Sequence, residues 1–204
     1  MNSKFGYWIL AGLLFLSGCI SVPSSREAHF YGIAALNDSE VTPLELSSNF
    51  AVAVRSIKIP AYLNRPHIVT QDEQHQLHFA QFDRWAEPLN DAMTRVIKEN
   101  LARMLPRAQI ISYPVDFPTD TAFRVDMEVT RFELDLAGDL LVVVQWEVVD
   151  VGYPKYTTIK RSEFRIPVEN GDYAGAVKAV GGVCASLSQQ VSGVISEMSE
   201  ITRP

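Results

Sequence analysis

Cysteine is rare in this sequence, and the cysteine inside the expected folded region has none of the neighbours that activate a thiol. Only two cysteines occur among the 204 residues. Cys184 lies in GGVCASL, without a histidine or an acidic residue near it in the sequence. A nucleophilic thiolate needs a nearby base, a cation or a helix N-terminus. We therefore interpret Cys184 as a small, buried apolar residue.

The sequence also lacks the short motifs that identify common catalytic and nucleotide-binding sites. It has no Gly-rich phosphate loop and no G-x-S-x-G, H-E-x-x-H or C-x-x-C motif. Asp126 and Glu128 alternate with apolar residues, which places them on the polar face of a strand, where solvated carboxylates are the ordinary case. We therefore expect a protein that is not an enzyme and that carries no cofactor.

Long apolar runs are absent except near the N-terminus. The run FGYWILAGLLFL, residues 5–16, is shorter than the roughly 20 apolar residues that a membrane-spanning helix needs. With Lys4 before it, the run is typical of the apolar core of a signal peptide. A later run, DLLVVVQWEVVD, is also too short and predicts a strand. Residues 30–204 are long enough for one domain with its own core.

The apolar run leads into LSGC, which ends at Cys19. An aliphatic residue, two small residues and a cysteine resemble the lipobox of bacterial lipoproteins. The resemblance implies that residues 1–18 are removed and that Cys19 carries an S-diacylglycerol and an N-acyl chain such as palmitate. An ordinary signal peptide with a chance cysteine is the alternative. Residues 19–29 would form a lipidated start and a short polar tether, and a lipidated Cys19 would leave Cys184 without a disulfide partner.

Two further features concern location and partners. Ile20 follows Cys19 where an aspartate would favour retention in the inner membrane. We therefore expect the inner leaflet of the outer membrane of a Gram-negative bacterium, with the domain facing the periplasm. The formal net charge of the chain is −6. An acidic chain argues against nucleic acid or an anionic membrane surface as the main partner.

Hydrophobic periodicity predicts an α+β fold. Apolar residues at spacings of three and four between Leu89 and Leu105 predict an amphipathic helix that Pro106 ends. A longer helix is predicted from about Asp172. Alternating segments predict about five strands in a single domain, with a mainly antiparallel twisted sheet and two main helices packed on one face. A slip in the alternation near Thr130 predicts a β-bulge.

The last predicted helix is poor in charge. Lys178 is its only charged residue between Asp172 and Glu197. Close packing through small residues would explain this composition. Coverage of the outer face of the helix by another subunit is the alternative, because surface helices usually carry more charge.

Three of the four histidines lie in the segment RPHIVTQDEQHQLHF. A hairpin with Val69 opposite His78 and His67 opposite Ala80 would place the two histidines diagonally on one face, roughly 7 Å apart. His75 would lie in the turn. Because structural zinc takes four ligands and catalytic zinc takes three with a water, this arrangement predicts solvent-facing histidines and no metal site.

Several longer motifs carry a family resemblance. They are SIKIPAYLNRPHIV, a β segment leading into RWAEPL, and an amphipathic helix ending in NLARMLP. With the lipobox and the terminal helix, they resemble the PqiC/YmbA family of ABC-type transport auxiliary lipoproteins. The resemblance implies an outer-membrane lipoprotein without catalytic residues, serving an MCE-domain system that moves lipids between the inner and outer membranes. It also implies docking to a PqiB-like MCE protein and assembly into a homo-oligomeric ring.

Three residues within these motifs have side chains of the kind that dominate protein interfaces, namely Tyr62, Arg65 and Trp85. We take them as candidates for partner binding. The alternatives are that Trp85 anchors the start of the following helix to the core and that Arg65 forms a salt bridge within its loop. A second functional hypothesis is a lipoprotein that itself binds a lipid or another small apolar ligand in a pocket.

Overall fold

The computed structural model describes residues 26–113 and 121–202. The predicted signal peptide, Cys19 and the first part of the tether lie outside these residues. The elements are β1 (His29–Tyr31), β2 (Phe50–Arg55), β3 (His67–Gln71), β4 (Leu77–Trp85), α1 (Leu89–Met104), β5 (Ala108–Tyr113), β6 (Thr121–Leu134), β7 (Asp139–Asp150), β8 (Thr157–Pro167) and α2 (Tyr173–Thr202), with short 3₁₀ helices at Asp38–Glu40, Ala61–Leu63 and Glu169–Gly171. No helix in the described ranges combines the length and the apolar content needed to cross a membrane.

Five strands form the larger sheet in the order β5-β2-β6-β7-β8. β2 lies parallel to both β5 and β6, whereas β6, β7 and β8 are antiparallel neighbours. β7 is an inner strand, and all five of its residues from Leu140 to Val144 are buried. The register between β6 and β7 shifts between Val129 and Arg131, which confirms the predicted bulge.

Three strands form the smaller sheet in the order β1-β4-β3. β1 lies parallel to β4, and β3 and β4 form an antiparallel hairpin. The chain reaches this sheet from β2 by following β6: Lys58 forms an isolated parallel bridge with Glu128, and the hydroxyl of Tyr62 reaches the backbone of Phe132. The smaller sheet therefore lies at the end of the larger sheet where β6 turns into β7.

α1 follows the apolar periodicity of its sequence. Its apolar stripe is buried against β2, β5 and α2, and the exposed faces carry its charged side chains. The helix begins after Pro88 and ends before Pro106. The buried residues of the helix are Leu89, Ala92, Met93, Val96, Ile97, Asn100, Leu101 and Met104. The predicted amphipathic helix is therefore confirmed.

α2 is deeply enclosed within its own chain. Fifteen of its 30 residues are buried, because the helix packs against α1, β7 and β8. The segment 32–46 crosses it as well, and a Cβ added at Gly181 would lie 3.6 Å from the carbonyl oxygen of Ala34. The low charge of the helix therefore follows from close packing through small residues, as the first of the two interpretations held.

The α+β class, the single domain and the two main helices are confirmed. Both helices pack on the face of the larger sheet that carries Val52, Phe123 and Val142. The expected sheet is, however, divided into two, and three of the six strand pairs in the described chain are parallel. These parallel pairs join strands that are far apart in the sequence, so alternation within a strand does not reveal them.

Candidate functional site

Tyr62, the first interface candidate, uses its hydroxyl for a hydrogen bond within the domain. Its hydroxyl donates a hydrogen bond to the carbonyl oxygen of Phe132 at 2.8 Å, and its ring packs against the hydrophobic core. Burial, and next the negative charge of Glu133, raise the pKa of the Tyr62 hydroxyl. The side chain therefore holds the loop before β3 against β6. Partner binding by Tyr62 stays a prediction.

Trp85, the second candidate, is only 5% exposed. It is the last residue of β4, and its backbone N–H donates to the carbonyl oxygen of Pro66 at 2.7 Å. Leu89 begins α1 four residues later and is also buried. This position fits the interpretation in which Trp85 anchors the start of the helix to the core. Its role in partner binding is not tested by the fold.

Arg65, the third candidate, stacks on an aromatic ring. Its guanidinium carbon lies 4.2 Å from the ring centroid of Phe79, which is 47% exposed. The Nε atom of Arg65 is buried without a hydrogen-bond partner, and the described residues provide no ion pair for it. The loop salt bridge considered from the sequence is therefore absent from the described chain, and a cation lies over an exposed ring in its place.

The register of the smaller sheet defines one outward face, which we call the tether-side face. Cross-strand partners lie on the same side of a sheet, and alternate residues of a strand share a face. His67 and Val69 share a face of β3. His67 pairs with Arg84 of β4, and Val69 pairs with Phe79 of β4. Arg84 also pairs with Phe30 of β1. The paired positions of the tether-side face are Phe30, His67, Val69, Gln71, Leu77, Phe79 and Arg84, of which Val69 is buried.

The opposite face of this sheet contributes to the core. Tyr31 pairs with Trp85, and both pack against the core cluster together with Ile68. On the tether-side face, Phe30, Phe79 and Leu77 are exposed by 63%, 47% and 37%. The sheet therefore has one face that stabilises the domain and one that presents aromatic and cationic side chains to the surroundings.

The histidines occupy a hairpin whose register differs from the one expected. Val69 lies opposite Phe79, and Thr70 lies opposite His78. The expected pairs of Val69 with His78 and of His67 with Ala80 are therefore wrong. Beside the turn Gln71 pairs with Leu77, so residues 72–76 close the loop and each partner of Thr70 and Val69 lies one residue further along β4 than expected. His67 is displaced further, to Arg84, by the register shift between His67 and Val69. In this register His67 lies on the tether-side face and His78 on the other face.

Two of the hairpin histidines, His75 and His78, have a local polar neighbour. Nε2 of His78 lies 2.7 Å from Oδ2 of Asp72, and Nδ1 of His75 lies 3.2 Å from Nε2 of Gln71. The hydrogen bond from His78, and next those from the turn backbone, lower the pKa of Asp72. Within residues 26–113 and 121–202, no three histidine, cysteine or acidic side chains are grouped to hold a metal ion.

A second exposed apolar surface surrounds the turn between β7 and β8. Val151, Tyr153 and Tyr156 lie in this turn and are exposed by 38%, 52% and 38%. Ile159, in the following strand, is 72% exposed. The buried carboxylate of Asp150 fixes the turn by accepting hydrogen bonds from the N–H groups of Gly152 and Tyr153, at 2.9 and 3.0 Å. We call this surface the β7–β8 end.

The two surfaces lie at opposite ends of the larger sheet. Asp72 and His75 of the small-sheet hairpin share a groove with Asp135 and Asp139 at the β6–β7 turn. The β7–β8 end begins after Asp150, at the other end of β7. A strand that rises by about 3.3 Å per residue separates the ends of this 12-residue element by roughly 36 Å.

The grooves on the domain are open and do not resemble a lipid pocket. A groove of about 430 Å³ on the exposed face of the larger sheet is lined mainly by charged side chains, among them Arg55, Arg124 and Glu147. Another, of about 460 Å³, lies between residues 32–40 and α2 and is lined mostly by small residues. Ligand pockets usually enclose most of the ligand surface, and both grooves are open to solvent, so neither favours the hypothesis of a bound apolar ligand.

Cys184 lies in the centre of α2 and is completely buried. Burial raises the pKa of its thiol to about 12. The thiol is therefore protonated and shielded under ordinary conditions, as expected for a packing residue.

The domain exposes aromatic side chains at each end, Phe30 and Phe79 on the tether-side face and Tyr153 and Tyr156 at the β7–β8 end. Residues 34–192 match the family described as ABC-type transport auxiliary lipoprotein component. The chain belongs to this family, which confirms the resemblance seen in the sequence.

Relatives with assigned names extend the match across the chain. The intermembrane transport lipoprotein PqiC of Escherichia coli (strain K12) is 26% identical over 191 residues, which cover 90% of this chain and 96% of the relative. The protein of the same name from Shigella flexneri matches with the same values.

Two solved structures share the fold. Protein XCC0632 from Xanthomonas campestris has a TM-score of 0.67 at 14% identity, covering 84% of this chain and 98% of its own. An uncharacterized protein has a TM-score of 0.69 at 20% identity, covering 83% of this chain and 99% of its own. At these identities the likeness concerns the fold alone.

Proposed function

We propose that this chain is an outer-membrane-anchored periplasmic lipoprotein. In this proposal it is a non-enzymatic auxiliary component of an MCE-type system that transports lipid between the inner and outer membranes. The acyl chains on Cys19 hold the protein in the outer membrane, and the folded domain docks to a PqiB-like MCE protein. Several copies assemble into a homo-oligomeric ring.

The observation that carries this proposal is the extent of the match to the relative named intermembrane transport lipoprotein PqiC. The match covers 90% of this chain and 96% of that relative. It therefore spans most of both chains and does not stop at a shared fragment. The family match at residues 34–192 supports the same assignment independently.

The two exposed surfaces fit an adaptor between a membrane and a protein partner. The tether leads into β1, beside the tether-side face, while the β7–β8 end points to the other end of the domain. Aromatic side chains are enriched in protein interfaces. With the lipid anchor at one end, the β7–β8 end is the natural place for the MCE partner.

Photo-crosslinking in intact cells tests the docking. A photoreactive amino acid replaces Tyr153 or Arg65, and a matched control replaces Gln145, an exposed polar residue in the middle of β7. We expect a light-dependent adduct at Tyr153 that contains an MCE-domain protein by mass spectrometry, and no such adduct at Gln145. Failure to capture an MCE protein at any of these positions, with both proteins expressed, would contradict the docking proposal.

Metabolic labelling tests the anchor separately. The wild-type chain is expected to incorporate labelled palmitate and to fractionate with the outer membrane. A Cys19→Ser variant is expected to lose both properties, because the lipid is attached to that thiol. A Cys184→Ser variant is the control and should retain the label. Equal labelling of the Cys19→Ser chain would contradict the anchor.

A further inference from the structure

The tether-side face differs from the rest of the domain in its charges. None of its seven paired positions is acidic, and they include Arg84 and His67. Arg65 lies over Phe79 on the same face. The net charge of −6 for the whole chain therefore does not describe this surface, which is locally cationic. The sequence-based argument against an anionic membrane surface applies to the chain as a whole and fails for this face.

Among residues 26–113 and 121–202, neither Arg65 nor Arg84 forms an ion pair. The Nε atom of each is buried without a hydrogen-bond partner, so the terminal nitrogens of the guanidinium are the atoms that an external anion can reach. Elsewhere Arg95, Arg124 and Arg131 each contact a carboxylate at 2.6–2.7 Å. A guanidinium is the group that binds phosphate with two parallel hydrogen bonds. The tether-side face therefore holds two arginines that are available for an anion.

The same face presents apolar surface beside the cations. Phe30 and Phe79 are among the most exposed large apolar residues of the described chain. Aromatic side chains and arginine stems are favoured where acyl chains meet head groups, because each combines an apolar body with a polar or cationic site. Phosphate next to hydrocarbon is the chemistry of a phospholipid surface, and it matches this combination of side chains.

The tether restricts how far this face can lie from the membrane. Arg26, the first described residue, lies three residues before β1 and approaches the ring of Phe82. It lies seven positions after Cys19 (26 − 19 = 7), and a fully extended chain spans about 3.5 Å per residue. Arg26 thus lies within about 25 Å of a lipidated Cys19, and the smaller sheet contains the first strand that follows the tether along the chain.

We propose that the tether-side face rests on the anionic phospholipid surface of the membrane that holds the acyl anchor, with Phe30 and Phe79 at the level of the head groups and Arg65 and Arg84 on lipid phosphates. The inference rests on the proposed function through the lipid anchor at Cys19. It adds that the domain has a fixed orientation on the membrane and does not swing on its tether. The β7–β8 end then points away from the bilayer.

Site-directed spin labelling tests this orientation on the mature lipidated protein. Because Cys184 is buried and Cys19 carries lipid, a single introduced cysteine is the only reactive thiol. The labelled variants are Phe30→Cys and Phe79→Cys, with Ile159→Cys as the exposed control on the β7–β8 end. The protein is placed in vesicles of phosphatidylethanolamine with a minor fraction of phosphatidylglycerol. Collision of the label with oxygen is compared with its collision with a water-soluble nickel complex.

We expect the ratio of oxygen to nickel collisions to be several-fold higher at positions 30 and 79 than at position 159. If the protein floats with the vesicles while either position is as hydrated as position 159, this inference is overturned and the lipid anchor stands. If the protein does not float, the anchor itself is contradicted, and the inference fails with it.

The arginines have a test of their own. The double substitution Arg65→Gln and Arg84→Gln is compared with Arg161→Gln and Arg165→Gln, which remove the same charge from arginines that are ion-paired on β8. In the wild-type protein we expect added phosphatidylglycerol to raise the ratio of oxygen to nickel collisions at position 30. The substitutions at Arg65 and Arg84 should abolish this rise, and the control substitutions should preserve it. An equal effect of both pairs would show that net charge alone acts, and would overturn the role of the two arginines. A protein adduct at Arg65 in the crosslinking experiment would also overturn the role of the two arginines at the lipid surface.

Discussion

The side-chain oxygen of Asn100 accepts a hydrogen bond from the backbone N–H of Leu36 at 2.9 Å, and Asn100 is completely buried. This contact fastens the segment before β2 to α1. Arg95 supports it by donating to the carbonyl oxygen of Ile33 at 3.1 Å.

We expect Asn100→Ala to lower the free energy of unfolding by about 1–3 kcal/mol, because it leaves a shielded backbone donor without its acceptor. Urea denaturation gives the value. Asn90→Ala is the control, since the Asn90 side chain bonds only to half-exposed neighbours. Equal losses in the two variants would show that the Leu36 contact contributes nothing special.

Two glycines of α2 predict opposite responses to the same substitution. A Cβ at Gly175 would lie 1.9 Å from the carbonyl oxygen of Glu169, whereas a Cβ at Gly193 would meet nothing within 4 Å. We expect Gly175→Ala to destabilise the domain by about 1–3 kcal/mol through overpacking. Gly193→Ala should stabilise it by up to about 1 kcal/mol through helix propensity. Thermal unfolding of the two variants in parallel checks the signs, and a stabilised Gly175→Ala chain would contradict the packing of the α2 start.

The phenol of Tyr31 predicts a loss of stability at high pH. Desolvation on burial, and next its hydrogen bond to Asp83 at 2.9 Å, raise the pKa of Tyr31 from 10.0 to about 12. Because the folded pKa lies above the unfolded one, this contribution to stability is complete below pH 10 and is lost as the pH rises through about 12. The urea midpoint of the wild type should fall more steeply over this range than that of Tyr31→Phe. Parallel curves would contradict the coupling.

Tyr62→Phe separates a structural role from an interface role. The substitution removes the hydrogen bond to Phe132 and keeps the ring. We expect the free energy of unfolding to fall by about 0.5–1.5 kcal/mol, with crosslinking to the MCE partner at Tyr153 unchanged. Unchanged stability together with a lost adduct would reverse the assignment and make Tyr62 an interface residue.

The elements that the sequence predicted well are those that depend on neighbours along the chain. The apolar spacing in α1 identifies its buried face because residues three and four apart share one side of a helix. Its limits follow from Pro88 and Pro106. The bulge in β6 was visible as a change of phase near Thr130, since a bulge shifts alternation by one residue.

The parts that could not be predicted depend on contacts between distant residues. Ala53 pairs with both Ile111 and Arg124, and no pattern within β2 encodes either neighbour. In the hairpin, the loop at residues 72–76 places Val69 opposite Phe79, one residue away from the expected pairing. Beyond this pair, the five residue steps from Phe79 to Arg84 on β4 lie opposite only two steps on β3. No pattern in the sequence marks either feature, and together they place Phe79 and Arg84 on the tether-side face.

The candidate site was therefore only partly visible in the sequence. Arg65 was chosen for its residue type, but its ring partner Phe79 lies 14 residues away across the hairpin (79 − 65 = 14). The alternation of Leu77 and Phe79 was the available signal, because two apolar residues on a strand face that looked solvated indicate a surface in need of a partner. The β7–β8 end carries the same signal in its tyrosines.

The contact between the segment after β1 and α2 also has a consequence for folding. Ile33 packs near Gly181, 148 positions further along (181 − 33 = 148). Residues this far apart must close a long loop before they can meet, and the entropic cost of that closure precedes any gain from packing. The segment 32–46 therefore takes its final place only after α2 has been synthesised, and a chain cut before α2 would leave both this segment and the buried face of α1 without their packing partner.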